Sequence, residues 1–147
     1  MRNKTLFLLL VLFIISACKK ENDTSNDLVE GSWKLVKVEQ YNSVADSLML
    51  FDYSLNNIIY KFNDDNKLIV SGVGHNTTLT FNPFLDGTYD YKLVYDYFSD
   101  HPANEELKAH YLLLRNSKYV VDIENNQLKL DNRYIDGSLL IFEKLNN

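Results

Sequence analysis

Apolar and polar residues alternate through most of the chain after about residue 28, and a period of two marks strands with one buried face. The cleanest run sets Tyr89, Tyr91, Leu93, Tyr95 and Tyr97 against Thr88, Asp90, Lys92, Val94 and Asp96, so one face of this strand is almost wholly aromatic. Ile58, Tyr60 and Phe62 lead through Asn63-Asp64-Asp65-Asn66 to Leu68 and Val70. A loop of Asp64, Asp65 and Asn66 places Phe62 opposite Leu68. His75, Thr77, Leu79 and Phe81 make a further alternating run, closed by Asn82-Pro83 and Asp86-Gly87.

In the last third, turns and pattern can be read separately and compared. Two-residue loops at Asn125-Asn126 and Asp136-Gly137 suit hairpins, because Asn, Asp and Gly tolerate the positive φ that such turns need. They pair Ile123 with Leu128, Val121 with Leu130, Tyr134 with Leu139 and Leu128 with Leu145. Paired residues share a face, so Tyr119, Val121, Ile123, Leu128, Leu130, Tyr134, Leu139, Ile141 and Leu145 all point inward. Glu143 falls on the same face and is the misfit.

Two segments break the alternation. Residues 43–53 carry Val44, Leu48 and Phe51 at helical spacing, behind Ser43 and Asp46 in a capping-box arrangement, and predict a short helix. Residues 99–114 offer Asp100 as an N-cap, Pro102 in the first turn, then Glu105, Glu106, Leu107, Tyr111 and Leu114; they predict a helix giving way to a strand around residues 111–115. About eight short strands with one or two short helices, and no alternation of strand with long helix, argue for an all-β antiparallel barrel or sandwich.

Arg2 and Lys4 precede an apolar run from Leu6 to Ile15, too short to span a bilayer as a helix. The run ends in Ile15-Ser16-Ala17-Cys18, which resembles the lipobox of bacterial lipoproteins. That resemblance implies a signal peptide over residues 1–17, a lipidated Cys18, and a tether over residues 18–27 leading to one domain at residues 28–147. From Lys19 to Asp27 there is no apolar residue to bury, which fits a solvated tether. It implies a cell-envelope protein, lipid-anchored at the outer membrane, since two or three acyl chains at ~0.8 kcal/mol per buried methylene hold a protein there essentially permanently. The charges directly after Cys18 are similar to those of surface lipoproteins in the Bacteroidota.

With Gly31-Ser32-Trp33 just after the tether, the chain resembles the lipocalin-like lipoproteins, whose first strand opens with Gly-x-Trp. The resemblance implies an antiparallel eight-stranded lipocalin-like β-barrel whose Trp33 plugs the closed end. It departs from the true lipocalins in lacking a Thr-Asp-x-x-Tyr loop and an Arg in the final strand to stack on Trp33; Lys144 is the nearest cation there.

Composition narrows the chemistry. A net charge of −5 without a basic stretch argues against nucleic-acid binding, and a single Cys leaves no internal disulfide and no Cys-based zinc cluster. No Gly-x-Ser-x-Gly surrounds Ser32, Ser71 or Ser138, and Gly72-Val73-Gly74 precedes no helix to cradle a phosphate. His101 and His110 come with no further ligands, and Asp64-Asp65-Asn66 and Glu124-Asn125-Asn126 read as turns rather than calcium sites. The expectation is a monomeric, non-enzymatic module without cofactor or metal.

The aromatic content carries more. The chain has 10 Tyr, and a purely structural core would favour Leu, Ile and Val, because a buried phenol needs a partner. Eight strands enclose just enough room to be filled by side chains or to hold one small ligand. The functional expectation is a cavity lined by Trp33, Tyr60, Phe62, Tyr89, Tyr91, Leu93 and Tyr95 for a small apolar or amphipathic molecule. The structural alternative fills the core with the same rings and leaves their hydroxyls at the rims. A different function is a protein-interaction or inhibitor lipoprotein acting through its loops.

Overall fold

A computed structural model describes residues 26–42, 45–74, 84–97, 108–133 and 137–146. Nine strands follow a 3-10 turn at Asn26–Leu28: β1 (Gly31–Asn42), β2 (Ser47–Asp52), β3 (Ile59–Phe62), β4 (Lys67–Ser71), β5 (Gly87–Tyr97), β6 (Lys108–Leu114), β7 (Ser117–Glu124), β8 (Gln127–Asp131) and β9 (Ser138–Lys144). All pairings are antiparallel, and β1 pairs with β9 to close eight of the strands into a barrel. The nine described strands all lie between Gly31 and Lys144, and most of the buried apolar residues from Val29 to Phe142 form one cluster, so barrel closure and this core both fall within residues 26–146.

The ninth strand is half of another. Gly31 to Lys34 of β1 pair with β3, and Lys37 to Asn42 pair with β2 along the same side. β2 and β3 are therefore one barrel strand interrupted at residues 53–58. Tyr53 N–H donates to the Val36 carbonyl at 2.8 Å and Leu35 N–H to the Ile58 carbonyl at 2.9 Å, resealing the ladder on either side. The excursion throws Leu55 fully into solvent and tucks Tyr53 and Ile58 into the core.

Closure is strongly staggered. Trp33 leads through Tyr60 and Val70 to Gly87 on β5, whereas Val38 leads the other way through Leu140, Leu130, Val121 and His110 to Tyr95. Because β5 runs opposite to β1, an unstaggered barrel would bring Val38 to a residue before Gly87. The offset tilts the strands and widens the interior.

Several turns form as their residues dictate. Asn66 takes φ 61° and Phe62 pairs with Leu68. Asn125 and Asn126 take φ 52° and 63°, and Val121 pairs with Leu130. Two expectations are corrected. The described residues 45–53 do not form the expected helix: residues 47–52 are β2, because the far half of β1 presents an open edge on which Met49 and Phe51 half-bury themselves while Leu48 and Leu50 face out. Asp46, read as part of a helix cap, is instead a hairpin residue at φ 45° that accepts the Tyr41 hydroxyl.

The second correction concerns β9. Leu128 pairs with Phe142, not Leu145, and Asp131 with Leu139, an odd-numbered slip that exchanges the two faces. Leu140 and Phe142 point inward, Ile141 does not, and Glu143 is exposed, which removes the misfit. The cause is a longer connection than Asp136-Gly137 alone: the Asn132 side chain accepts the Ser138 N–H at 2.6 Å, and Asn132 N–H donates to the Ser138 carbonyl at 3.1 Å. At Gly137 a Cβ would lie 2.3 Å from the Asn132 carbonyl oxygen, so glycine is required by close approach rather than by turn type. The strand expected around residues 111–115 begins earlier, at Lys108, and takes in His110. The helix expected before it, the run from His75 to Phe81, Tyr134, His101, the leader, Cys18 and most of the tether lie outside the described residues.

Candidate functional site

Alternation along β1, β3, β5 and β9 sends Trp33, Tyr60, Phe62, Tyr91, Leu93 and Phe142 to the inside, where all are buried. Trp33 sits at the end where the chain enters the barrel. Its indole N–H donates to the Val29 carbonyl at 2.7 Å, and Lys144 Nζ lies 5.4 Å from the ring centroid. Such a cation over Trp is worth about 0.5–1 kcal/mol at an exposed site. Leu145 N–H donates to the Ser32 carbonyl at 2.9 Å and ties the final strand to the first beside it.

The tyrosines divide by the fate of their hydroxyls. Tyr91 stands edge-on to Phe62 at 5.2 Å and donates to the Asn63 carbonyl at 2.9 Å, at the β3–β4 turn. Tyr89 packs on Phe84 at 5.4 Å and donates to the Leu85 carbonyl at 2.7 Å, with Arg115 5.6 Å from its ring. Tyr60 differs. Its ring lies between Phe142 at 4.8 Å and Phe84 at 6.1 Å, the residue is 0% exposed, and its hydroxyl has no hydrogen-bond partner.

Burial raises the Tyr60 phenol well above its ordinary ionisation range, and the nearby phenols of Tyr119, Tyr89 and Tyr53 push it the same way. Tyr119 is raised by burial too, against a smaller opposing hydrogen bond with Ser117. Tyr60 is thus a neutral donor at every physiological pH. An unsatisfied buried donor costs about 1–3 kcal/mol. The surroundings supply no charge, since Ser138 is the one buried polar non-aromatic residue among the described residues.

Of the expected lining, Trp33, Tyr60, Phe62, Tyr91 and Leu93 come together in the core and Tyr89 packs against it half-buried. Tyr95 does not line the interior. It is 48% exposed and faces the His110 ring at 4.7 Å, with Lys108 Nζ 5.7 Å from its centroid, because the inner face of β5 runs past the rim before the strand ends. Three aromatic neighbours of the site escaped the sequence reading. Tyr53 was hidden by the helical spacing of residues 43–53, Phe142 by the slipped register of β9, and Phe84 by its place beside the Asn82-Pro83 turn signal.

The segment bearing Phe84 is pinned at both ends. Asp86 accepts the Val73 N–H at 2.8 Å and the Gly74 N–H at 3.1 Å, so its own carboxylate occupies the amide donors that an anion would need. Gly72, at φ 86°, lies so close to Asn57 that a Cβ would be 1.9 Å from its carbonyl oxygen. Together these contacts set Val73 and Phe84 over the interior.

The structural class is an all-β, eight-stranded antiparallel barrel with its second strand in two pieces. No protein-family model, no curated protein and no solved structure matches the chain.

Proposed function

We propose that the protein is a lipid-anchored lipoprotein of the bacterial cell envelope, at the outer membrane, whose lipocalin-like barrel binds a small apolar or amphipathic molecule without transforming it. The observation that carries the reading is the Tyr60 hydroxyl, wholly buried inside a closed barrel and unpartnered. A core selected for packing alone would place Phe there. Ile15-Ser16-Ala17-Cys18 supports the anchor, and Gly31-Ser32-Trp33 with Lys144 over the indole supports the family resemblance.

The test is native mass spectrometry of the domain from Asn26 onward, purified from cells without organic extraction. The expected result is an added mass lost on extraction, with a change in emission of Trp33, the one tryptophan in the chain. A domain of polypeptide mass alone, with emission unmoved by extraction, would refute the reading.

A second reading, an interaction or inhibitor lipoprotein, draws on the outer face of the β1–β2 pair. There Tyr41, paired with Leu48, and Leu50 are 40%, 50% and 58% exposed. A ligand-free barrel that captures one protein, and loses it when Leu48 and Leu50 become Ser, would favour that reading.

A further inference from the structure

We propose that the outer wall from the far half of β1 through β2, β3 and β4 to the start of β5 is a membrane-contact face, on which the barrel lies against the bilayer that holds its lipid anchor. This face is separate from the barrel interior and independent of the ligand reading. Choosing a bilayer rather than a protein as its occupant rests on the anchor proposed at Cys18.

The first observation is where outward apolar side chains are left open. Among the described residues every exposed large aliphatic lies on this half of the wall: Leu48 and Leu50 on β2, Leu55 on the excursion after it, Ile69 on β4 and Leu85 before β5, with Leu55 99% and Leu85 68% exposed. Exposed apolar residues gathered on one side mark an interaction surface, whereas single scattered ones do not. The other half shows how this chain treats such residues elsewhere. Tyr111 also points outward, between Val94 and Val120, yet it is buried beneath Lys118, whose Nζ lies 3.9 Å from its ring centroid. Leu139, outward between Glu39 and Asp131, is buried where Arg133 bridges those two carboxylates at 3.3 and 2.7 Å.

The second observation is the charge around the leucines. Asp46 accepts the Tyr41 hydroxyl, Asp52 the Ser54 N–H at 2.8 Å, Asp86 the Val73 and Gly74 amides, and Asp90 the Lys67 ammonium, so these carboxylates are engaged within the chain. Lys34, which donates to the Ser54 carbonyl at 2.7 Å, and Lys61, paired with Ile69, stand on the same outer surface. Their apolar stems and cationic heads suit the phosphates of lipid headgroups while the leucines enter the acyl boundary.

The third observation is reach. From Cys18 to Asn26 the chain spans at most about 27 Å. Strands about 4.8 Å apart and tilted by about 40° give an eight-stranded barrel a backbone radius of about 8 Å, so Asn26 lies roughly 15 Å above a bilayer placed under this face. The tether is long enough to turn the face down and short enough to keep it at high effective concentration over the bilayer, an advantage that a diffusing protein partner does not share.

The experiment places one cysteine on the domain from Asn26 onward, which lacks Cys18, by Leu55→Cys or, on the opposite half, Asp122→Cys. Each is labelled with an environment-sensitive dye and mixed with vesicles of phosphatidylcholine and phosphatidylethanolamine. The domain should float with the vesicles at low and high salt alike, and the dye at position 55 should move to shorter wavelength while that at position 122 stays unchanged. Leu48→Ser with Leu85→Ser should cut partitioning by about fivefold or more, with circular dichroism unaltered. Absence of flotation at millimolar lipid, or equal shifts at both positions, overturns the proposal. A shift at position 55 that follows protein concentration without lipid assigns the face to a second copy and overturns it too. Failure here leaves the Cys18 anchor standing, because the tested domain never carries it, and carbonate washing of the full chain decides the anchor alone.

Discussion

Replacing Tyr60 with Phe should stabilise the ligand-free protein, which is the reverse of what loss of a buried polar atom does in most cores. The substitution keeps the ring and its contacts with Phe142 and Phe84 at 4.8 and 6.1 Å, and it deletes one oxygen that is bonded to nothing. Relieving an unsatisfied buried donor returns about 1–3 kcal/mol. The small void left by the oxygen takes back a fraction of that, so a net gain of about 1–2 kcal/mol is expected. At roughly 3–5 °C per kcal/mol for a domain of this size, Tm should rise by about 3–10 °C. The assay is urea and thermal unfolding of extracted protein followed by Trp33 emission, with the m-value checked for constancy. A loss of stability beyond about 0.5 kcal/mol would show that the hydroxyl has a partner such as trapped water, and the reasoning built on it would fail.

Trp33→Ala should cost about 3–5 kcal/mol, since the ring is 1% exposed and closes one end of the core; a loss below about 1 kcal/mol in urea titration would place it outside the core. Stability should fall as pH rises past about 10, the ordinary phenol value. Tyr60, Tyr119 and Tyr91 are all raised by burial, so the unfolded chain sheds their protons first and the advantage of the folded state disappears as pH climbs through the folded values. Tyrosinate absorbance should accordingly show a buried subset ionising only on unfolding, and a single smooth titration near pH 10 would contradict this. Cys18→Ser should leave the barrel folded by circular dichroism while releasing the protein from membranes on carbonate washing; retention would count against the anchor.

Period-two alternation sufficed for the barrel because almost every strand has one face in the core and one in water. Phe62 opposite Leu68 and Val121 opposite Leu130 follow from short turns whose residues admit positive φ. The failures share a cause, which is that long-range pairing decided what local pattern left open. Leu48 and Phe51 fit a helix until the free edge of β1 is known to be there. Asp136-Gly137 is a sound hairpin signal, but the Asn132 side chain bonds across to Ser138 and lengthens the link, and an odd shift turns Phe142 from outside to inside. Five of the seven expected lining residues are in the core for the plain reason that they alternate. Nothing in the sequence says where along β5 the barrel ends, and Tyr95 lies beyond that point.

The fates of the tyrosine hydroxyls separate packing from function more sharply than their number does. If rings merely filled the barrel, each phenol would sit where its oxygen reaches backbone or water at a rim. Tyr91 at the Asn63 carbonyl and Tyr89 at the Leu85 carbonyl obey that rule. Tyr60 breaks it in the middle of the core, on the strand segment held between Trp33 of β1 and Val70 of β4. No turn or hairpin geometry demands a hydroxyl at that position, and Phe would serve the fold better. Sequences depart from local consistency chiefly where function demands it. The interrupted second strand bears on the same point: residues 53–58 leave the ladder and return, at the expense of regular pairing, and Tyr53 is thereby delivered beside Tyr60. A barrel needing only closure would run that strand unbroken along β1. Under the proposed ligand reading both departures would serve a guest, and the mass that the domain loses on extraction is the quantity that separates the two cases.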